Sequence, residues 1–110
     1  MDTLTQYRQH IKTLLNERAK LVWDKRIQAK TLFDPESDRY QLVYVGWRNS
    51  ERVYGVILHA DIINGKIWIQ QDGTEQGLAN QLVELGVPKH DIVLAFDPPN
   101  LRQYTEFASH

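Results

Sequence analysis

Asn64-Gly65 separates two runs of β-branched and aromatic residues, Arg52–Ile63 and Lys66–Gln71. No other dipeptide in the chain restricts the fold so tightly, because both residues readily take the positive φ that a two-residue hairpin turn demands. Such a turn pins the register. It sets Ile62 opposite Ile67 and Ala60 opposite Ile69 on one side of the ladder, and Asp61 opposite Trp68 and His59 opposite Gln70 on the other. Upstream, Tyr40–Trp47 forms another β-rich run, and Ile27, Ala29, Thr31 and Phe33 alternate with polar residues as far as the turn at Pro35. Four strands in meander order are predicted. Pairing Trp47 with Arg52 across the Arg48-Asn49-Ser50-Glu51 turn puts Tyr40, Leu42, Tyr44 and Ile57 on the same face as His59, Asp61 and Trp68.

Helical spacing brackets the strands. Thr3-Leu4-Thr5-Gln6 reads as a capping box, and Leu4, Tyr7, Ile11, Leu14, Leu15 and Val22 predict an amphipathic helix from residue 4 to about 22. Leu78, Ala79, Leu82, Val83 and Leu85 predict a second helix, with Thr74 as N-cap, Glu75 in the first turn and Gly86 as its stop. Ile92–Phe96 reads as a strand or a buried turn, and Pro98-Pro99 precedes a short helical tail. The expected fold is α+β: an antiparallel four-stranded meander with an N-terminal helix, a C-terminal helical segment and room for an extra short strand at 92–96. At 110 residues this is one domain, 1–110. Two helices cover one face of such a sheet. The aromatic second face then needs other cover: another protein chain, another copy of this one, or the tail from Leu101 to Phe107.

Charge divides the chain unevenly. The net charge is −1, yet residues 1–30 hold seven Lys/Arg against three Asp/Glu. Arg8, Lys12, Arg18, Lys20, Lys25 and Arg26 form either a nucleic-acid footprint or a solvated helix face. They do not line up as one stripe. The chain has no cysteine, which excludes disulfides, thiol nucleophiles and cysteine-ligated metals. Its opening MDTLTQYRQH is polar and no apolar run approaches 18 residues, so no signal peptide or spanning helix is expected, and the predicted location is the cytoplasm.

Few residues suggest chemistry. His59-x-Asp61 pairs an imidazole with an acid on one strand face but lacks further ligands at metal-site spacing. Asp72-Gly73-Thr74-Glu75 fits a helix-capping turn better than a magnesium or general-acid site, and Asp91 reads likewise as a turn or cap residue. Ser37, Ser50 and Ser109 have no elbow motif, and Gly46, Gly55 and Gly65 make no phosphate loop. The expectation is no enzyme, no metal and no cofactor.

Arg39-Tyr40-Gln41-Leu42, Gly46-Trp47 and Gly65-Lys66-Ile67-Trp68-Ile69-Gln70 resemble the XisI family, the fdxN-element excision controlling factors. Thr74-Glu75 with Gly77, Leu82-Val83, Gly86-Val87-Pro88-Lys89, Asp91-Ile92-Val93-Leu94-Ala95-Phe96, Pro99 through Arg102 and Tyr104-Thr105-Glu106-Phe107-Ala108 continue the likeness in order and spacing. Gln28, where an acid is expected, and Val87 in place of isoleucine depart from it. The resemblance implies a part in programmed excision of a chromosomal element during cyanobacterial cell differentiation, beside a site-specific recombinase. It also implies a small companion factor, XisH, and carries no catalytic residues. The combined expectation is an accessory module that binds itself or an XisH-like protein. The residues expected to make that contact are Tyr40, Leu42, Tyr44, Ile57, His59, Asp61, Trp68 and Gln70. DNA contact through a recombination complex, or directly by the basic first helix as an architectural or directionality factor, is the alternative.

Overall fold

Asn64 and Gly65 take φ 50° and 78°, so the hairpin turn forms where the dipeptide requires it. The computed structural model describes residues 2–110. Its elements are α1 (Thr3–Ala19), β1 (Ile27–Asp34), β2 (Arg39–Arg48), β3 (Glu51–Ile63), β4 (Lys66–Asp72), α2 (Leu78–Glu84) and β5 (Ile92–Leu94). Short 3₁₀ turns span Lys89–Asp91 and Pro99–Tyr104. The sheet order is β1-β2-β3-β4-β5. The first four strands are the antiparallel meander, and β5 joins β4 in parallel. Ile92–Phe96 therefore does supply a strand, shorter than the apolar run, and the tail is helical as expected.

Local chemistry moves two caps. Asp2, not Thr3, caps α1: its carboxylate accepts from the Thr5 amide at 2.8 Å and the Thr5 hydroxyl at 3.0 Å. The helix stops at Ala19 rather than near 22, because the chain turns at Asp24, whose carboxylate accepts from the Arg26 amide and from both the Arg26 and Arg48 guanidinium groups. Those bonds, the Arg26 side chain first, hold the Asp24 carboxyl well below the ordinary carboxylate range. Thr74 likewise is not the cap of α2. Gly77 occupies that position at φ 87°, and Asp72 reaches forward to accept from the Leu78 amide at 2.6 Å. Gly86, at φ 98°, ends the helix as expected, with Val87 donating back to the Leu82 carbonyl.

Tyr7, Ile11, Leu14 and Leu15 of α1 pack onto Tyr40, Leu42, Leu58, Ala60, Ile62, Ile67 and Ile69, with Leu78, Leu82 and Ile92 closing the far end. Burying each large apolar side chain contributes about 1.5–3 kcal/mol, which holds the apolar stripe of α1 to the sheet. Two bulges set which residues reach this core. β2 and β3 shift register between Leu42 and Val43, where Leu42 pairs with Leu58 but Val43 with Val56. Ile57 is the extra residue, and beyond it Tyr40 sits opposite Ala60 instead of His59. Tyr40 and Leu42 therefore face α1 with 0% exposure, correcting the face predicted for them. Tyr44 and Ile57 also pack against this core. The second bulge, between His59 and Ala60, pairs His59 with Gln71, so the expected His59–Gln70 partnership does not form.

The core carries two phenols. Burial, then the hydrogen bond to the Asp91 carboxylate, pushes the Tyr7 hydroxyl up to about 12. Burial and the Asp38 carboxylate push Tyr40 up to about 12 as well. A phenol raised in the folded state stabilises the fold in full below about pH 10, and that contribution is lost as pH climbs from about 10 towards the folded value. Urea unfolding measured across that alkaline window should show stability falling steeply. Tyr7→Phe, with no proton to lose at that position, should fall less steeply; an unchanged slope would refute the assignment.

Candidate functional site

The face of the sheet away from α1 splits into a polar half and an aromatic half. The polar half is built where β2, β3 and β4 run side by side. Gln41 pairs with His59, and Asp61 with Trp68. His59 Nε2 lies 2.9 Å from Asp61 Oδ1, the Gln70 amide donates to Asp61 Oδ2 at 3.3 Å, and Gln41 Nε2 sits 3.4 Å from His59 Nδ1. In the tautomer that satisfies both contacts, His59 donates from Nε2 to the carboxylate and accepts at Nδ1. The side chains of His59 and Asp61 keep only 25% and 15% exposure, so the ladder is a closed polar strip. Gln70 remains part of it even though the bulge removes its strand pairing with His59.

The tail covers the edge of this half. Arg102 stacks its guanidinium 5.6 Å above the Trp68 ring while donating to the Asp97 and Ala95 carbonyls. Ala108 bridges Val93 of β5, and Val93 is fully buried. The Leu101–Phe107 segment thus covers the Trp68 end of the face and leaves the other end bare.

The bare half is aromatic. Val43, Val45 and Trp47 alternate along β2 opposite Val56, Tyr54 and Arg52 of β3, while Leu32 of β1 lies on the same face opposite Gln41. Trp47 is 53% exposed, Tyr54 72%, Leu32 54% and Val56 36%. The Arg52 guanidinium lies between the two rings, 5.3 Å from the Trp47 centroid and 5.6 Å from that of Tyr54. A cation over two aromatic faces is attracted by both ring quadrupoles and keeps the three side chains as one layer. Lys25, Arg26 and Gln28 rim a hollow beside it with Val45, Gly46, Trp47 and Arg52. Gly46 is required here, since a Cβ at that position would lie 2.2 Å from the Arg26 carbonyl oxygen.

Of the residues expected to form a contact surface, His59, Asp61, Trp68 and Gln70 share this face, whereas Tyr40, Leu42, Tyr44 and Ile57 are turned to α1. Leu32, Val45, Trp47, Arg52, Tyr54 and Val56 were not among them. Their signal is the alternation of Val43-x-Val45-x-Trp47 against Arg52-x-Tyr54-x-Val56, legible only once β3 carries its extra residue. The basic residues are dispersed. Arg8 is bound in two places by Asp38, at 2.7 and 3.1 Å, and Arg26 by Asp24. Arg18 buries its Nε without an acceptor, Lys12 is half-buried, and Lys20 and Lys25 are exposed. Asp72 spends its carboxylate on the Thr74 amide, the Thr74 hydroxyl and the Leu78 amide, and Glu75 is exposed outside α2. Among the described residues no three His, Cys, Asp or Glu converge as a metal site, and no helix is long and apolar enough to cross a membrane.

A family model described as XisI protein matches residues 1–109. The fold is similar to the crystal structure of a XisI-like protein from Anabaena variabilis ATCC 29413, with a TM-score of 0.91 and 39% identity over 96% of this chain and 98% of that one. It is also similar to the crystal structure of the fdxN element excision controlling factor XisI from the same organism, with a TM-score of 0.86 and 33% identity over 99% of this chain and 100% of the other. No match was found among curated proteins.

Proposed function

Since the chain belongs to the XisI family, we propose that it is a controlling factor for excision of a DNA element and acts by docking a protein partner rather than by chemistry of its own. The observation that carries this reading is the Trp47–Arg52–Tyr54 layer on the half of the sheet face that the tail leaves bare. Trp, Tyr and Arg are the residues in which binding energy concentrates at protein interfaces, and exposed apolar patches of this kind mark contact surfaces. The partner of choice is the XisH-like companion that kinship suggests. With Arg52 at the centre and Lys25 and Arg26 at the rim, the complementary surface would carry acidic side chains around an apolar middle.

Mixing the two purified proteins in a calorimeter tests the reading. A saturable complex with a negative heat-capacity change is expected, because apolar surface leaves water on docking. Absence of any complex at tens of micromolar would overturn it.

A further inference from the structure

β1 closes the sheet on the side opposite β5. Its residues Ile27–Asp34 pair, among the described residues, with β2 alone. The opposite edge is covered, since Ala108 bridges β5. An uncovered edge offers a row of backbone donors and acceptors to any strand that can lie beside it, and proteins usually blunt such edges with proline, bulges or crowded charge. β1 has no proline, no register shift against β2 and a single lysine. We propose that β1 pairs antiparallel with β1 of a second copy of this chain, about a two-fold axis normal to the sheet and centred on Leu32.

The centre follows from the side chains. Residues directly opposite each other in an antiparallel pair lie on one face, so a two-fold axis must set some residue of β1 against itself. Centring on Lys30 opposes two ammonium groups. Centring on Thr31 sets Lys30 against Leu32 and leaves Asp34 opposite Gln28. Centring on Leu32 sets Leu32 against Leu32 and Lys30 against Asp34 on both sides, which buries the half-exposed leucine between two ion pairs. This self-complementarity selects a second copy rather than a foreign strand. It is independent of what the Trp47 layer binds, because Leu32 sits opposite Gln41, six residues along β2 from Trp47.

The absence of cysteine makes the register directly measurable. In Leu32→Cys the two thiols face each other with Cα atoms about 4.5–5.5 Å apart, within disulfide reach. In Lys30→Cys they stand about four residues, or ~13 Å, apart, which a disulfide does not span. Under mild oxidation Leu32→Cys should crosslink at least about tenfold faster than Lys30→Cys. Without oxidant, light scattering should give a dimer that Lys30→Glu weakens and Lys30→Glu with Asp34→Lys restores. A chain that stays monomeric at every concentration overturns the proposal. So does a dimer in which the two cysteine variants crosslink equally fast, since its interface then lies elsewhere.

Discussion

Tyr40→Ala is expected to lower the unfolding free energy by about 3–5 kcal/mol, the cost of emptying an aromatic site in a packed core. The ring has 0% exposure, lies 5.8 Å from that of Phe33, and donates from its hydroxyl to Asp38 at 3.0 Å. The same carboxylate clamps Arg8 of α1, and the Ile62 amide donates to the Asp38 carbonyl at 2.9 Å. Truncation therefore opens a cavity and loosens the joint between helix and sheet together. Against a typical domain stability of about 5–15 kcal/mol this is a large fraction. Tyr40→Phe, which keeps the ring and loses one hydrogen bond, should cost only about 1 kcal/mol. Urea midpoints at constant m-value provide the measurement. A loss near zero for Tyr40→Ala would mean the ring sits on the solvent side, as a ladder without the Ile57 bulge would have it.

Trp47→Ala and Tyr54→Ala should each weaken the complex with the XisH-like partner by at least about 30-fold, the usual effect of removing an anchor worth 2 kcal/mol or more. Each change also strips one ring from Arg52, so the double variant should cost less than the sum of the singles. Both residues are more than half exposed, and surface substitutions ordinarily stay within about 0.5 kcal/mol of the parent stability. Lost binding with an unshifted urea midpoint is thus the expected signature. Binding that survives the double variant would move the interface elsewhere.

These two experiments separate residues that pattern reading merged. A strict period of two from Trp47 opposite Arg52 assigns Tyr40 and Tyr54 to faces that one extra residue exchanges. The meander, the Asn64-Gly65 turn and the pairs Ile62–Ile67 and Ala60–Ile69 were legible because turn chemistry is local and the pleat alternates without exception over those residues. The bulges were not. Ile57 looks like any other strand isoleucine, and nothing local in the sequence marks it as the extra residue. The caps failed for a related reason: Asp2 and Asp72 act from one and six positions before the residues where helices begin, and only the folded loop shows that their carboxylates arrive. Of the expected contact residues only His59, Asp61, Trp68 and Gln70 lie on the face away from α1, and there Arg102 and the tail cover Trp68.

The three tryptophans give the account its most direct test, since Trp23 lies in the turn after α1, Trp47 in the bare aromatic half and Trp68 beneath Arg102. The indole N–H resonances, assigned by single Trp→Phe changes, can be followed while the XisH-like protein is titrated in. The account predicts that the Trp47 signal shifts with saturation while that of Trp68 stays in place. A shift confined to Trp23, with Trp47 unmoved at saturation, would contradict it.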